Sequence, residues 1–360
     1  MVPEARFAFV FSCYAPTVTG YAYNIPRPAF DEMLLQTALE AGVDRVHGHA
    51  RLEASPDSQA PELRLHAESV ALATSLAGRQ PDLIVDATGR TRQSARVLGI
   101  RALLGPRNDL AHFAHFEDAH WPEEEPAGQV LIARLRAGWC WRIPLPGCLS
   151  AGIVVARDHA ERLGATPEER LERAIAGEAV LKATLEGARR VTPVVTYSNY
   201  QLISERGYGP GWVAVGDAFG FVDPMLSPGV CLALRSAERV ADALAPLVSG
   251  RAAARRELLH GRPERVFAPY ARSFRQDLSA WMDLVAYLYD GRLAALMRSG
   301  SDMLARADGV FARALERHIA RNVALQASGV WTSAPYSRGL LRFMSRHGLR
   351  GFEPAELAVR

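Results

Sequence analysis

Lysine is almost missing from this sequence: Lys182 is the single one. The formal net charge of +3 therefore rests on arginine, spread along the chain. A nucleic-acid groove needs a clustered basic patch with interleaved aromatics, so no nucleic-acid partner is expected. The four cysteines, Cys13, Cys140, Cys148 and Cys231, show neither C-x-x-C nor metal-ligand spacing. That excludes a disulfide framework or a cysteine-built metal centre and fits a reducing compartment. No apolar run approaches the roughly 20 residues that a membrane-spanning helix needs. The opening MVPEARFAFVF has no basic region ahead of its short apolar run, as a secretion signal would. The expectation is a cytoplasmic protein with no membrane span. Glycine is scarce at the front, where Gly20 stands alone before Arg27.

What is present suits a folded core. The chain has 360 residues, 49% of them hydrophobic and 22% charged, enough for one large domain or a few small ones. Tyr21 to Ile25 alternates like a strand. After Pro26 and Pro28 the periodicity predicts a helix with Phe30, Met33, Leu34, Thr37, Ala38 and Ala41 on one face, ending at Gly42. Short strands are expected over Val46 to Leu52, Leu63 to Val70 and Ala71 to Leu76, with a turn at Pro56 to Ser58. Leu83-Ile84-Val85, inside PDLIVDATGR, is the continuous apolar run of a parallel strand buried on both faces. HFAHF, QVLIARL, WCWRIPL and SAGIVV read as sheet, interrupted by one helix over Pro167 to Glu186. From Arg262 onward the pattern is helical. Phe267, Tyr270, Phe274, Leu278, Trp281, Val285 and Leu288 recur at steps of three and four and predict a core-facing stripe.

One stretch carries more chemistry than the rest. In GWVAVGDAFGFVDPMLSPGVCLAL (residues 211–234), a short apolar strand stops at Gly216-Asp217. A helix then begins near Pro228-Gly229, with Val230, Leu234, Ala237, Ala241 and Leu244 at helical spacing. A carboxylate at the carboxyl edge of a sheet can accept hydrogen bonds from sugar-like hydroxyls. The free N–H groups of a helix start favour an anionic or electron-rich group. The structural alternative is that Asp217 caps a turn and Gly229 only eases packing. Trp139 and Trp141, two apart on a strand, point to one face. They either line a pocket or pack the sheet against the C-terminal helices. His112 and His115 are three apart and face opposite sides, which argues against a shared metal. GYGPG (residues 207–211) precedes a strand and does not open a helix, so it is no phosphate-binding turn.

GDAFGFVDPMLSPG resembles the second flavin motif of FAD-dependent monooxygenases and flavin-dependent tryptophan halogenases, and Phe221, Pro224, Ser227 and Gly229 match the halogenase spacing F-x-x-P-x-x-S-x-G. DLIVDATGR is similar to the family's other strand end, and RPAFD (residues 27–31) to its R-x-x-F-D helix entry. GWCWRIPL holds the W-x-W-x-I-P pattern of the halogenase branch. The resemblance implies a mixed α/β fold: a Rossmann-like FAD core over 1–107 and 201–252, a substrate-binding antiparallel sheet over 108–200, and a helical region over 253–360. It implies FAD, with Arg27, Asp86, Gly89, Gly216, Asp217 and Gly229 near the cofactor. Trp139, Trp141, Pro224 and Ser227 would line the substrate pocket. In halogenases the two tryptophans are thought to keep substrate from reacting directly with a flavin hydroperoxide.

Two absences shape the functional expectation. The family's leading G-x-G-x-x-G unit needs about 30 residues, so the resemblance implies a chain without its first βαβ unit. Halogenases also use a lysine from that front portion, and Lys182 does not map onto it. Halide is thought to rest on backbone N–H groups matching Ser227 to Gly229, where Pro228 offers none. The expectation is an FAD-dependent oxidoreductase that oxygenates an electron-rich organic substrate through a flavin hydroperoxide, in preference to halogenating it. The substrate is a small molecule, free or tethered to a carrier protein, and a flavin reductase is an implied partner. The alternatives are a flavin-free remnant that binds without catalysis, and a flavin reductase similar to geranylgeranyl reductases. Arg338, Arg342, Arg346 and Arg350 recur every four residues beside Leu340, Leu341, Phe343 and Met344. They form either a carrier-docking stripe or a solvated helix face.

Overall fold

The computed structural model describes residues 22–55, 62–122, 128–135, 137–298, 310–349 and 353–359. The expected turn at Pro56 to Ser58 and the start of the expected strand at Tyr21 lie outside these. In chain order come helix α1 (Arg27–Glu40), strands β1 (Leu52–Ala54) and β2 (Leu63–Leu65), helix α2 (Ala67–Leu72) and strand β3 (Ile84–Asp86). Helix α3 (Gln93–Val97) leads into β4 (Ala102–Glu117), β5 (Leu131–Arg134), β6 (Trp139–Leu145) and β7 (Cys148–Ala156). Helices α4 (Arg157–Leu163), α5 (Pro167–Gly177) and α6 (Ala179–Leu185) precede β8 (Arg189–Arg190), β9 (Val195–Ser204), β10 (Tyr208–Gly209), β11 (Trp212–Ala214) and β12 (Gly220–Phe221). The later helices are α7 (Gly229–Val248), α8 (Ala252–Arg256), α9 (Pro263–Tyr289), α10 (Val310–Ala327) and α11 (Pro335–His347).

The chain divides into two units. A sheet unit comprises Met1–Glu32, Arg107–Asn199 and Asp283–Arg360; a parallel unit comprises Met33–Pro106 and Tyr200–Met282. In the sheet unit the strand order is β9–β4–β7–β6–β5, with β8 on β4. Alternation along the strands gives this sheet two different faces. On one, Leu110, Phe116, Cys140, Ile153 and Val155 pack against Ala160, Leu171 and Leu181 of α4 to α6. Helix α5 starts where Thr166 accepts from the Glu169 N–H at 3.2 Å and Pro167 follows as the first helical residue. The single helix expected over Pro167 to Glu186 is two, because Glu178 adopts an extended conformation after Gly177.

In the parallel unit β11 pairs parallel to β3, with Trp212 opposite Ile84 and Ala214 opposite Asp86, and β10 closes a hairpin onto β11. The aromatic stripe of α9 is core as expected: Phe267, Tyr270, Phe274, Leu278, Trp281 and Val285 are all buried. Several local expectations are corrected. Only Leu52–Ala54 of the region around Val46 to Leu52 is strand. Leu63 to Val70 is strand only to Leu65, and the rest is helix α2, whose start is capped by His66 accepting from the Glu68 N–H. Ala71 to Leu76 is likewise helical, the end of α2 and a 3-10 turn, where a strand was expected. Alanine-rich AESVAL favours helix over strand once a cap is present. Val85 is 46% exposed, so β3 is not covered on both faces. Helix α7 buries Leu232, Ser236 and Val240, whereas Leu234 is 48% exposed. Its inward face is one step out of phase with the expected one, because a serine, Ser236, sits at its centre.

His112 lies on the helix-covered face of β4, fully buried, with Nδ1 2.9 Å from the Thr196 hydroxyl. Burial pushes its pKa down from 6.5 to about 4, Arg170 adding to the shift and Glu168 opposing it. The unfolded chain takes up this proton near 6.5 and the folded chain only near 4. Stability is therefore full above that window and falls as pH drops through it, by about 3 kcal/mol. Denaturant unfolding at several pH values from 7 downward should show this slope, and His112→Asn should flatten it. An unchanged slope in the variant would assign the acid sensitivity to other groups.

Candidate functional site

In the parallel unit, the ends of β3 and β11 are tied by the Val215 N–H donating to the Asp86 carbonyl at 3.0 Å. The buried Asp86 carboxylate turns back into its own loop. One oxygen accepts from the Thr88 N–H at 2.9 Å and hydroxyl at 2.6 Å, the other from the Ser94 N–H at 2.8 Å and hydroxyl at 2.5 Å. Burial pushes its pKa up, but the hydrogen bonds from Ser94 and Thr88 outweigh this and hold the carboxyl below its ordinary value. The turn at Gly89–Thr91 is thereby brought against the turn at Gly216–Ala218, and α7 packs on that second turn. Gly216 has φ +53°, and a Cβ there would sit 3.3 Å from the Ala233 methyl. Only glycine gives both that conformation and that approach. Its N–H donates to the Ser236 hydroxyl at 2.8 Å. The Arg90 guanidinium lies over the Phe221 ring, 4.7 Å from its centre.

Asp217, half-buried, follows this turn. The chain then reaches α7 through Asp223, whose carboxylate accepts from the Met225 N–H at 2.9 Å, and Pro224, whose carbonyl accepts from the Ser227 N–H at 2.9 Å. Leu226 and Ser227 both have left-handed backbones, with φ of 65° and 50°. No side chain caps α7, so its first-turn N–H groups point out of the helix. A Cβ on Gly229 would meet nothing within 4 Å, nor would one on Gly89. The expected residues Asp86, Gly89, Gly216, Asp217 and Gly229 thus belong to one set of adjoining turns, with Pro224 and Ser227 in the loop that leads to α7.

The expected tryptophans belong to the sheet unit, on the face opposite α4 to α6. Trp141 sits opposite Gly152, which in turn sits opposite Phe113. A Cβ on Gly152 would lie 2.4 Å from the Trp141 ring and 2.5 Å from the Phe113 Cβ, so both rings close over a bare backbone. The row continues through Tyr197, stacked on Phe113 at 6.0 Å, and Trp139, 5.7 Å from Trp141. Trp139 is locked by donating to the Tyr289 hydroxyl at 2.8 Å, and Arg107 lies over the Tyr289 ring at 3.8 Å. Trp139 therefore packs against a C-terminal helix, while Tyr197 at the other end is 57% exposed. Arg27 also lies in the sheet unit's share of α1, its fork held by Asp31 at 3.0 Å. Among the described residues no group of three or more His, Cys, Asp or Glu could hold a metal. Sequence reasoning missed Thr88, Ser94, Arg90, Phe113 and Tyr197. The T-x-x-x-x-x-S spacing after Asp86 was the signal available.

Residues 9–257 match the family model described as tryptophan halogenase. The chain belongs to that family. It is 29% identical over 236 residues to the tryptophan 2-halogenase of Chondromyces crocatus, covering 64% of this chain and 45% of that protein. It is 25% identical over 248 residues to a 1H-pyrrole-2-carbonyl-[peptidyl-carrier protein] brominase of Pseudoalteromonas luteoviolacea, covering 67% and 58%. The myxobacterial chondrochloren halogenase, a variant of FAD-dependent halogenases, superposes with a TM-score of 0.61 at 27% identity, over 75% of this chain and 61% of that one. The chain spans about half the length of the curated relatives it matches.

FAD is the cofactor of flavin-dependent halogenases, and the turns fit one end of it. The open space at Gly229 and Gly89, the uncapped start of α7 and the Asp217 carboxylate suit the ring and ribityl chain. The Asp86 carboxylate is committed to Thr88 and Ser94, so it shapes the turn and does not itself offer acceptors to a ligand. Asp86→Asn keeps one acceptor but turns an N–H₂ toward two donors. It should lower stability in urea unfolding by about 2–3 kcal/mol, with the loss suppressed at low pH. A neutral outcome would remove Asp86 as the organiser of this site.

Proposed function

We propose that this protein is an FAD-dependent oxidoreductase that oxygenates an electron-rich aromatic substrate. The observation that carries oxygenation over halogenation lies in the loop before α7. The Ser227 N–H is already used by the Pro224 carbonyl, and Pro228 has none. A halide resting on this segment would have the Gly229 N–H alone. Loss of one charge-assisted hydrogen bond weakens a partly buried anion by about 1.5–3 kcal/mol.

Bound and reduced FAD supplies the activation of O2, by which one oxygen atom enters the substrate and the other leaves as water. The chain's own residues bind and orient. In this reading Asp217 accepts hydrogen bonds from ribityl hydroxyls, and the first turn of α7 at Gly229 stabilises negative charge on the ring. Asp86, Gly89 and Gly216 belong to the same cofactor site, Asp86 and Gly216 by fixing its turns. Phe113, Trp141 and Tyr197 offer stacking surface to a planar substrate, and Trp139 extends that surface. A separate flavin reductase delivers the electrons. The substrate arrives as an acyl group on a carrier protein, the class of substrate named for the pyrrole brominase relative.

The test begins with flavin retention. The wild type should keep FAD through desalting, and Asp217→Ala should bind it about tenfold more weakly, the equivalent of about 1.4 kcal/mol. With NADH, a flavin reductase and an indole or pyrrole substrate, the expected product is oxygenated and unaffected by added bromide. A brominated product would sink the oxygenation reading, and no FAD binding would sink both.

Gly152→Ala should raise KM for the aromatic substrate by displacing the Trp141 and Phe113 rings, while flavin content stays at the wild-type level. An unchanged KM would detach the aromatic row from the substrate.

A further inference from the structure

One of the basic segments of this chain also carries exposed aromatic side chains. Residues 310–349 carry six arginines, Arg313, Arg317, Arg321, Arg338, Arg342 and Arg346, against one acid, Glu316. That balance of +5 exceeds the +3 of the whole chain, so the remainder is slightly acidic. The segment folds as α10, a short loop and α11, joined by the Ser337 hydroxyl donating to Asn322 at 2.7 Å and the Gln326 amide to the Ser337 carbonyl at 3.0 Å. Asp283 takes up part of the charge, with Arg338 at 2.5 Å and Arg342 at 3.4 Å. Arg313, Arg317 and Arg346 are exposed.

Set among these arginines are two exposed aromatics, Tyr336 at 63% and Phe343 at 62%. They are seven residues apart, two turns of one helix face and about 10 Å along its axis. The Tyr336 hydroxyl lies 2.8 Å from Nε2 of His318 on α10, and the Phe343 ring lies 4.8 Å from that of His347, tilted by 44°. Both rings are thus held outward and in place. Pre-ordered aromatics within a basic rim are what a protein interface uses as anchors.

We infer that the α10–α11 face docks an acidic helical protein of the peptidyl-carrier class, with Tyr336 and Phe343 as its anchors and the arginines as its steering rim. This rests on the proposed reading of a carrier-tethered substrate, and it places the partner on named residues. Charge complementarity selects the occupant: a strongly basic face on a chain of otherwise acidic balance attracts an acidic surface, over a range that salt shortens. A membrane surface is a poorer match, because an interfacial helix needs a continuous apolar face. On α11 Leu341 is turned inward, so its exposed large apolar side chains are Tyr336 and Phe343 alone and form no continuous apolar face.

The experiment measures binding of the full chain to a purified, labelled peptidyl-carrier protein loaded with a pyrrole-2-carbonyl group. Expected is salt-sensitive binding that weakens at least tenfold in Arg317→Glu/Arg346→Glu and again in Phe343→Ser, with flavin content unchanged. Affinity unaltered in both variants overturns the inference, as does absence of carrier binding at low salt. Charge-dependent binding of anionic vesicles or of single-stranded DNA in place of the carrier also overturns it. Conversion of the free, untethered substrate is followed in parallel. Its survival when docking fails leaves the proposed flavin-dependent oxygenation standing and removes only the carrier-tethered form of the substrate, whereas loss of flavin binding ends the oxygenation reading by itself.

Discussion

The buried carboxylate of Asp86 is the constraint from which the flavin-type turns follow. An ionised group removed from water is stable only when its acceptor sites are filled. Here two backbone N–H groups and two hydroxyls fill them, all from Thr88 and Ser94. Filling them curls DATGRTRQS back under the end of β3 and leaves Gly89–Thr91 projecting. The backbone carbonyl of the same residue receives Val215, so the neighbouring strand end is held at a matching level. Gly216 can then turn tightly against α7, which sets where that helix begins. One side chain thus aligns a loop, and its main chain aligns the next.

The sheet unit obeys a different logic, in which an absent side chain does the organising. Across three strands, Gly152 stands between Phe113 and Trp141. Any larger residue would force the rings apart, so a contiguous row of aromatics exists because the central strand is bare there. The opposite face of the same strands is an ordinary apolar core under α4 to α6. It also shelters His112, whose neutral form is the cost-free one in that setting. The two faces share a backbone and divide the work: one holds the sheet together, and the other presents π-surface.

How much of this was legible depended on how local the cause was. Strands β4 to β7 and the α9 stripe showed plainly, since alternation and a three-to-four period are written directly in the residues. His112 and His115 separated to opposite faces for the same reason. Helix α2 was misread as strand because its start depends on a histidine cap, a signal weaker than serine or aspartate. The inward face of α7 was misplaced because apolar periodicity chose Leu234, while Ser236 is buried to satisfy Gly216. Asp86 was expected near the cofactor, but its partners, Thr88 and Ser94, are recognised only once the loop has closed. The aromatic row needed Phe113 and Tyr197, which lie on separate strands and meet through register alone.

The loop before α7 shows why the chemistry concentrates there. Two consecutive non-glycine residues in left-handed conformation, Leu226 and Ser227, cost of order 1–3 kcal/mol each. Glycine at either place would relieve that strain, so the conformation is imposed by its surroundings. Pro224 and Asp223 hold it through the Ser227 and Met225 amides, and Pro228 fixes the next φ. The result is a helix start that is rigid before any ligand arrives. Rigidity of this kind lets partial charges at a helix end act on a bound ring without reorganising. The hydrogen bond that stiffens the loop also occupies the Ser227 N–H, so the donor that preorganises the helix start is not offered to anything else.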